Sequence, residues 1–271
     1  MVTRVTRFGR LTFDRDAIVR AALRAYVETH LAMVDPLERH RLAVCDGGNW
    51  AGDLQRGALF NTDDNGDSVV AWTEAGVVGL AYEGGWGPIA QLGLSIDTVT
   101  GGPDDVRGTV PGLPAELEPV FLMAVDMLDT REEVYLKGEV HAVFREKLAG
   151  VGFWLCGDCV GGTLFDDPLA CGANRLAAWG LLRGDRLPLA CSDRVEFRAD
   201  QPSAVPIHAI IDALTDRALK GPTEFTLDEI ATICPTTPKP ERLLYAQYRL
   251  QKVGIRWPGA PEILEEPPYP Q

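Results

Sequence analysis

No apolar run in the chain approaches the about 20 residues that a membrane-spanning helix needs. Low-complexity composition is also missing, because Gly (28) and Pro (19) are modest among 271 residues. With 46% apolar residues the chain has enough material for a packed core, which excludes wholesale disorder. The common catalytic signatures are absent as well. There is no Gly-x-Ser-x-Gly elbow, no His-Glu-x-x-His pair, and no glycine-rich phosphate loop followed by Lys and Ser or Thr. The four histidines, His30, His40, His141 and His208, are scattered. These absences favour a protein without catalysis of its own.

Positive charge is missing from one long stretch. Residues 46–130 hold two basic side chains, Arg56 and Arg107, against fourteen acidic ones, and carry nearly all of the net charge of −13. Such a stretch repels phosphate backbones and anionic lipid and attracts a basic protein or a cation. The plainer reading is solubility, since net charge keeps copies apart. The basic start, Met1 to Arg10, has no apolar core behind it, and the Glu265-to-Gln271 end carries no lipidation signature. A cytoplasmic protein is therefore expected, with its six cysteines as thiols or metal ligands.

Local patterning predicts an α+β fold with a small, mostly antiparallel sheet, segregated helices and a helical C-terminal third. An amphipathic helix is expected over 14–34, capped by Asp14 or Asp16 and stopped by Asp35-Pro36. The clearest hairpin is Val69–Trp72 and Val77–Tyr82 across Thr73-Glu-Ala-Gly76, with Leu92–Ile96 as a third strand. Gly101–Asp105 reads as loop. A helix is expected from Pro114 to about Asp129, with Pro119 delaying its start, and a second over 131–149, from the spacing of Leu136, Val140, Val143, Phe144 and Leu148. Phe153–Leu155, Leu187–Leu189 and Val195–Phe197 read as short strands. Val205–Leu219, Thr226–Cys234 and Pro240–Val253 read as helices. The linear division is an α+β domain over 1–199, a helical module over 200–257 and a Pro-rich, loosely packed tail over 258–271.

Several clusters are candidates for chemistry. Asn61-Thr-Asp63-Asp64-Asn65-Gly66-Asp67 begins like a calcium loop, but its twelfth position is Trp72 rather than Glu, so a turn is the better reading. Cys156-Gly-Asp-Cys159 lacks the helix start of a disulfide oxidoreductase. As a zinc half-site it would need Cys171 and Cys191 to complete four thiolates, and no second Cys-x2-Cys is present. Buried inert thiols are the competing reading, and no cofactor is the preferred expectation. His141 and Arg145 are expected to share a helix face. Trp50, Trp72, Tyr82 and Trp86 lie in or beside the acidic stretch as interface anchors or sheet core.

Thr226–Ala231, a turn, and Arg242-to-Ile255 resemble the helix-turn-helix part of a winged-helix domain, over about 50 residues. The resemblance implies DNA reading by Lys239, Arg242, Arg249 and Lys252. Yet residues 200–271 are net acidic, against the basic footprint of DNA readers, so nucleic acid is not an expected partner. Three helices forming a packing module is the plainer reading. The leading expectation is a binding protein of immunity or inhibitor type. It would dock a basic protein through Asp63, Asp64, Asp67, Trp86, Asp104 and Asp105, with a zinc-containing enzyme or regulator at Cys156/Cys159, or a winged-helix-like DNA-binding regulator over 205–256, as the alternatives.

Overall fold

The computed structural model describes residues 1–6, 9–34, 47–63, 66–83, 106–128, 130–136, 139–147, 149–165, 176 and 205–270. The fold is α+β, with a six-stranded antiparallel sheet and a helical C-terminal region. Among the described residues no helix is long and apolar enough to cross a membrane. The chain forms two compact units, Met1–Ala21 with Ala51–Leu187, and Ala22–Trp50 with Pro188–Gln271.

The first unit starts with a hairpin of β1 (Val2–Thr6) and β2 (Gly9–Phe13). Asp14 then caps α1 (Arg15–Ala32), its carboxylate accepting the Ala17 N–H at 3.0 Å. β3 (Gly47–Gly52), which belongs to this unit only from Ala51, β4 (Gly57–Asp63), β5 (Gly66–Thr73) and β6 (Gly76–Glu83) follow as a meander. β5 and β6 pair as far as Thr73 opposite Gly76, so the expected four-residue connection is only Glu74 and Ala75. A 3-10 turn, Ala115–Leu117, leads into α2 (Glu118–Met127), with Pro119 in the first turn, where its missing N–H costs nothing.

Residues 130–146 correct the expectation of a helix over 131–149. They form the antiparallel pair β7 (Thr130–Leu136) and β8 (Glu139–Glu146). Val140, Val143 and Phe144 fit a helical stripe, but Val, Phe and Tyr also favour strands, and Gly138 disfavours a continuous helix. Pairing Leu136 with Glu139 leaves a two-residue connection, Lys137-Gly138. His141 is passed over where the register moves from Val134–Ala142 to Tyr135–Val140, so it sits at an irregularity in a strand rather than on a helix with Arg145.

β9 (Val151–Cys156) adds to β6, and β10 (Cys159–Gly161) to β9, giving the order β10-β9-β6-β5-β4-β3. Ala58, Phe60, Val69, Ala71, Val78 and Leu80 face α2, where Val120, Phe121, Ala124 and Val125, with Leu117 of the preceding 3-10 turn, close the core. Leu59, Val70, Trp72 and Val77, of the opposite parity, are buried too. Burial on both faces explains why Val69–Trp72 is an unbroken apolar run. Each fully buried large side chain contributes about 1.5–3 kcal/mol.

The second unit contains the later turns of α1, then α3 (Val205–Ala218), β11 (Thr223–Glu224), α4 (Leu227–Ile233), α5 (Pro240–Gln251) and β12 (Ile255–Arg256). Thr226 and Glu229 form a reciprocal capping box at the start of α4. β11 and β12 pair in parallel, tying the segment after α3 to that after α5. The Pro-rich tail, expected to be loose, is held at three points. Gln251 exchanges two hydrogen bonds with the Ile263 backbone, Arg249 pairs with Glu266 at 3.0 Å, and Tyr269 stacks edge-on against Tyr245. The segments expected around 92–96, 101–105, 187–189 and 195–197 lie outside the described residues.

Polar groups are buried along α1 in this unit. Arg24 donates to Glu28 at 2.8 Å and to Asp212 at 2.7 Å. The Tyr26 hydroxyl donates to the Arg249 carbonyl at 3.0 Å, and burial pushes it well above its ordinary pKa. His30 lies 4.4 Å from Tyr26 and 6.4 Å from Tyr245 between ring centroids. Burial, and then the Arg249 charge, holds its pKa down at about 3; Lys252 adds to this and the Gly48 backbone opposes it. The unfolded chain takes up that proton near pH 6.5. His30 therefore contributes stability above pH 6.5 that is lost as pH falls from 6.5 toward 3, at up to about 1.4 kcal/mol per pH unit. Urea unfolding at pH 7 and pH 5 should show a weaker pH dependence for His30→Phe than for the unsubstituted protein. Equal dependence would contradict this assignment.

Candidate functional site

In a meander, alternate hairpin turns fall at the same end of the sheet. The β3–β4 connection at Asp53–Arg56 and the β5–β6 turn at Glu74-Ala75 share one end, because Gly57 pairs with Trp72 at the end of β5. β9 runs antiparallel to β6 and sets Cys156 opposite Gly76, so the β9–β10 turn, Gly157-Asp158, joins them. The same end receives the start of α1. Arg15 donates to the carbonyls of Thr73 (2.7 Å), Leu54 (3.2 Å) and Gln55 (2.9 Å), fastening the helix to two of the three turns.

This end presents the exposed carboxylates of Asp16, Asp53, Glu74, Glu116 and Asp158. Asp53 accepts the backbone N–H groups of Gln55 and Arg56 at 2.7 and 2.8 Å, which hold its carboxyl below the usual range. Asp16 takes the remaining arm of Arg15 at 2.7 Å. Asp158 meets the chain's amino terminus at 3.1 Å, with both groups exposed, so the pair contributes little to stability. Glu116 is close enough to Cys156 to raise its thiol pKa, after burial and ahead of Cys159. Glu118, by contrast, is engaged by Arg107 in a two-pronged pair at 2.8 and 2.5 Å, and this hydrogen bonding lowers its pKa.

The residues singled out from sequence fall elsewhere. The β4–β5 connection lies at the opposite end of the sheet, separated from the Glu74 turn by an eight-residue strand, about 25 Å. Asp63 pairs with Gly66 through the backbone, and Asp64 is outside the described residues. Asp67 is 6% exposed, within β5, so its carboxylate does not project from a loop as expected. Trp86, Asp104 and Asp105 are outside the described residues. Trp72 and Trp50 are buried, so neither anchors an outer face.

Among the proposed zinc ligands, Cys156 and Cys159 come together as cross-strand neighbours, both free thiols. Cys171 and Cys191 are outside the described residues. Among the described residues no group of three or more His, Cys, Asp or Glu is arranged to hold a metal ion. Of the implied DNA-reading residues, Arg249 is tied to Asn49, Tyr245 and Glu266. Lys239 and Lys252 are exposed, Lys252 over the Tyr248 ring at 4.5 Å, and Arg242 is half-buried.

Glu74, Glu116 and Asp158 lie far apart along the chain, so no local spacing in the sequence groups them. The parity of hairpin turns, applied to Thr73–Gly76 and Cys156–Cys159 together, is the signal that could have found two of them. The chain matches no known family model, no curated protein and no solved structure with which it was compared.

Proposed function

We propose that the protein is a non-catalytic binding protein that captures a basic protein partner on this carboxylate-bearing end of its sheet, in the manner of an immunity or inhibitor protein. The observation that supports the reading is the gathering of exposed carboxylates from three separate turns onto one end of a packed sheet. Short turns hold such groups at fixed spacing, so little conformational freedom is lost on docking. The acidic stretch of the sequence adds a long-range attraction that speeds encounter with a cation-rich surface.

The test is capture from native extract by the immobilised protein, beside a Glu74→Gln/Glu116→Gln/Asp158→Asn variant. The expected result is a partner of positive net charge whose capture weakens in the variant and at high salt. Capture that is indifferent to both, or of an acidic partner, would overturn the reading.

A further inference from the structure

We propose that Cys156 and Cys159 form a reversible dithiol–disulfide site that closes across the β9–β10 turn. The two residues are direct cross-strand partners, with only Gly157 and Asp158 between them. Directly opposed residues of an antiparallel pair have Cα atoms about 4.5–5.5 Å apart, inside the about 4.4–6.8 Å range that a disulfide spans. Gly157 takes the left-handed conformation, with φ of 56°, that lets so short a turn reverse the chain, and no heavy atom within 4 Å crowds its Cβ position. The site therefore differs from a helix-borne redox pair and needs no third ligand.

Exposure sets the order of events. Cys159 is exposed and Cys156 half-buried. With glutathione disulfide as the oxidant, the Cys159 thiolate attacks one glutathione sulfur, forming a mixed disulfide and releasing one glutathione thiolate, which takes up a proton. The Cys156 thiolate then attacks the Cys159 sulfur, forming the intramolecular bond and releasing the second glutathione. In sum two protein thiols are oxidised to one disulfide, and one glutathione disulfide is reduced to two thiols. Cys156 gives up its proton in the second step, beside a partner already in contact, so its raised pKa slows closure without preventing it.

The experiment equilibrates the full-length reduced protein with glutathione disulfide, quenches with acid, alkylates under denaturing conditions and maps the cysteines by mass spectrometry. The expected result is loss of two alkylatable thiols and a Cys156–Cys159 cross-link that dithiothreitol reverses. Cys156→Ser should stop at glutathione on Cys159, and Cys159→Ser should leave Cys156 largely alkylatable. Four outcomes would overturn the proposal: no reaction, stable glutathione on Cys159 in the unsubstituted protein, pairing of either thiol with Cys171 or Cys191, or one bound zinc protecting both thiols. The mapping on the unsubstituted protein decides the matter even where a variant folds poorly. It is also independent of whether a basic partner docks nearby.

Discussion

Replacing Arg24 by Met should destabilise the protein by about 3–5 kcal/mol, the usual cost of removing one member of a buried ion pair. Arg24 is buried within α1 and bonds Glu28 and Asp212 at 2.8 and 2.7 Å. Glu28 is 2% exposed, so without the guanidinium its charge would remain in a poorly solvated site. Asp212, with its side chain 44% exposed, can recover water and should contribute less. The loss should therefore shrink when Glu28 is removed as well. A double variant, Arg24→Met with Glu28→Leu, should regain a large part of it, because apolar replacement of a buried pair is often neutral or stabilising. Urea unfolding followed by far-ultraviolet circular dichroism measures both. A single-variant loss below about 1 kcal/mol would place the pair in the class of weak surface bridges.

Gly76→Ala should cost about 3 kcal/mol or more, and for a different reason. Gly76 has φ of +151° and pairs with Cys156 where β6 meets β9. A Cβ there would lie 1.9 Å from the Leu155 carbonyl oxygen, a backbone atom that cannot swing aside. The strand pairing itself must open, which adds to the strain of the conformation. Gly112 provides the comparison. It too has positive φ, +69°, but nothing lies within 4 Å of its Cβ position. Gly112→Ala should show only the conformational cost, about 1–2 kcal/mol. Thermal unfolding of the two variants side by side separates clash from backbone strain, and equal losses would contradict the account of the β6–β9 contact.

The Val69–Tyr82 hairpin, the first helix and the three C-terminal helices were legible because each carries period and punctuation together. Asp14 caps α1, Thr226 and Glu229 box the start of α4, and Pro240 opens α5. The pair β7 and β8 was not legible, since Val140, Val143 and Phe144 satisfy a helical spacing while their side-chain types favour strands. Gly138 was the discriminating signal. The candidate site was legible only as charge. Composition shows an acidic stretch, but which carboxylates meet depends on strand order. That order sends Asp63 and Glu74, eleven residues apart in sequence, to opposite ends of one sheet. Each compact unit also joins two separated stretches, and no local signal in a sequence marks such a division.

On the proposed reading, carboxylates at the Glu74 end of the sheet steer a basic partner. The association rate constant of the captured partner, read by stopped flow across a salt series, decides whether they do. The unsubstituted protein, the Glu74→Gln/Glu116→Gln/Asp158→Asn variant and an Asp63→Asn/Asp64→Asn variant are compared. At low salt the first variant should associate about tenfold more slowly, with little change in dissociation, and the difference should close as the Debye length shortens. The second variant, with Asp63 at the far end of the sheet, should associate nearly as fast as the unsubstituted protein. Slowing confined to the Asp63/Asp64 variant, or equal rates for all three proteins at every salt concentration, would contradict that reading.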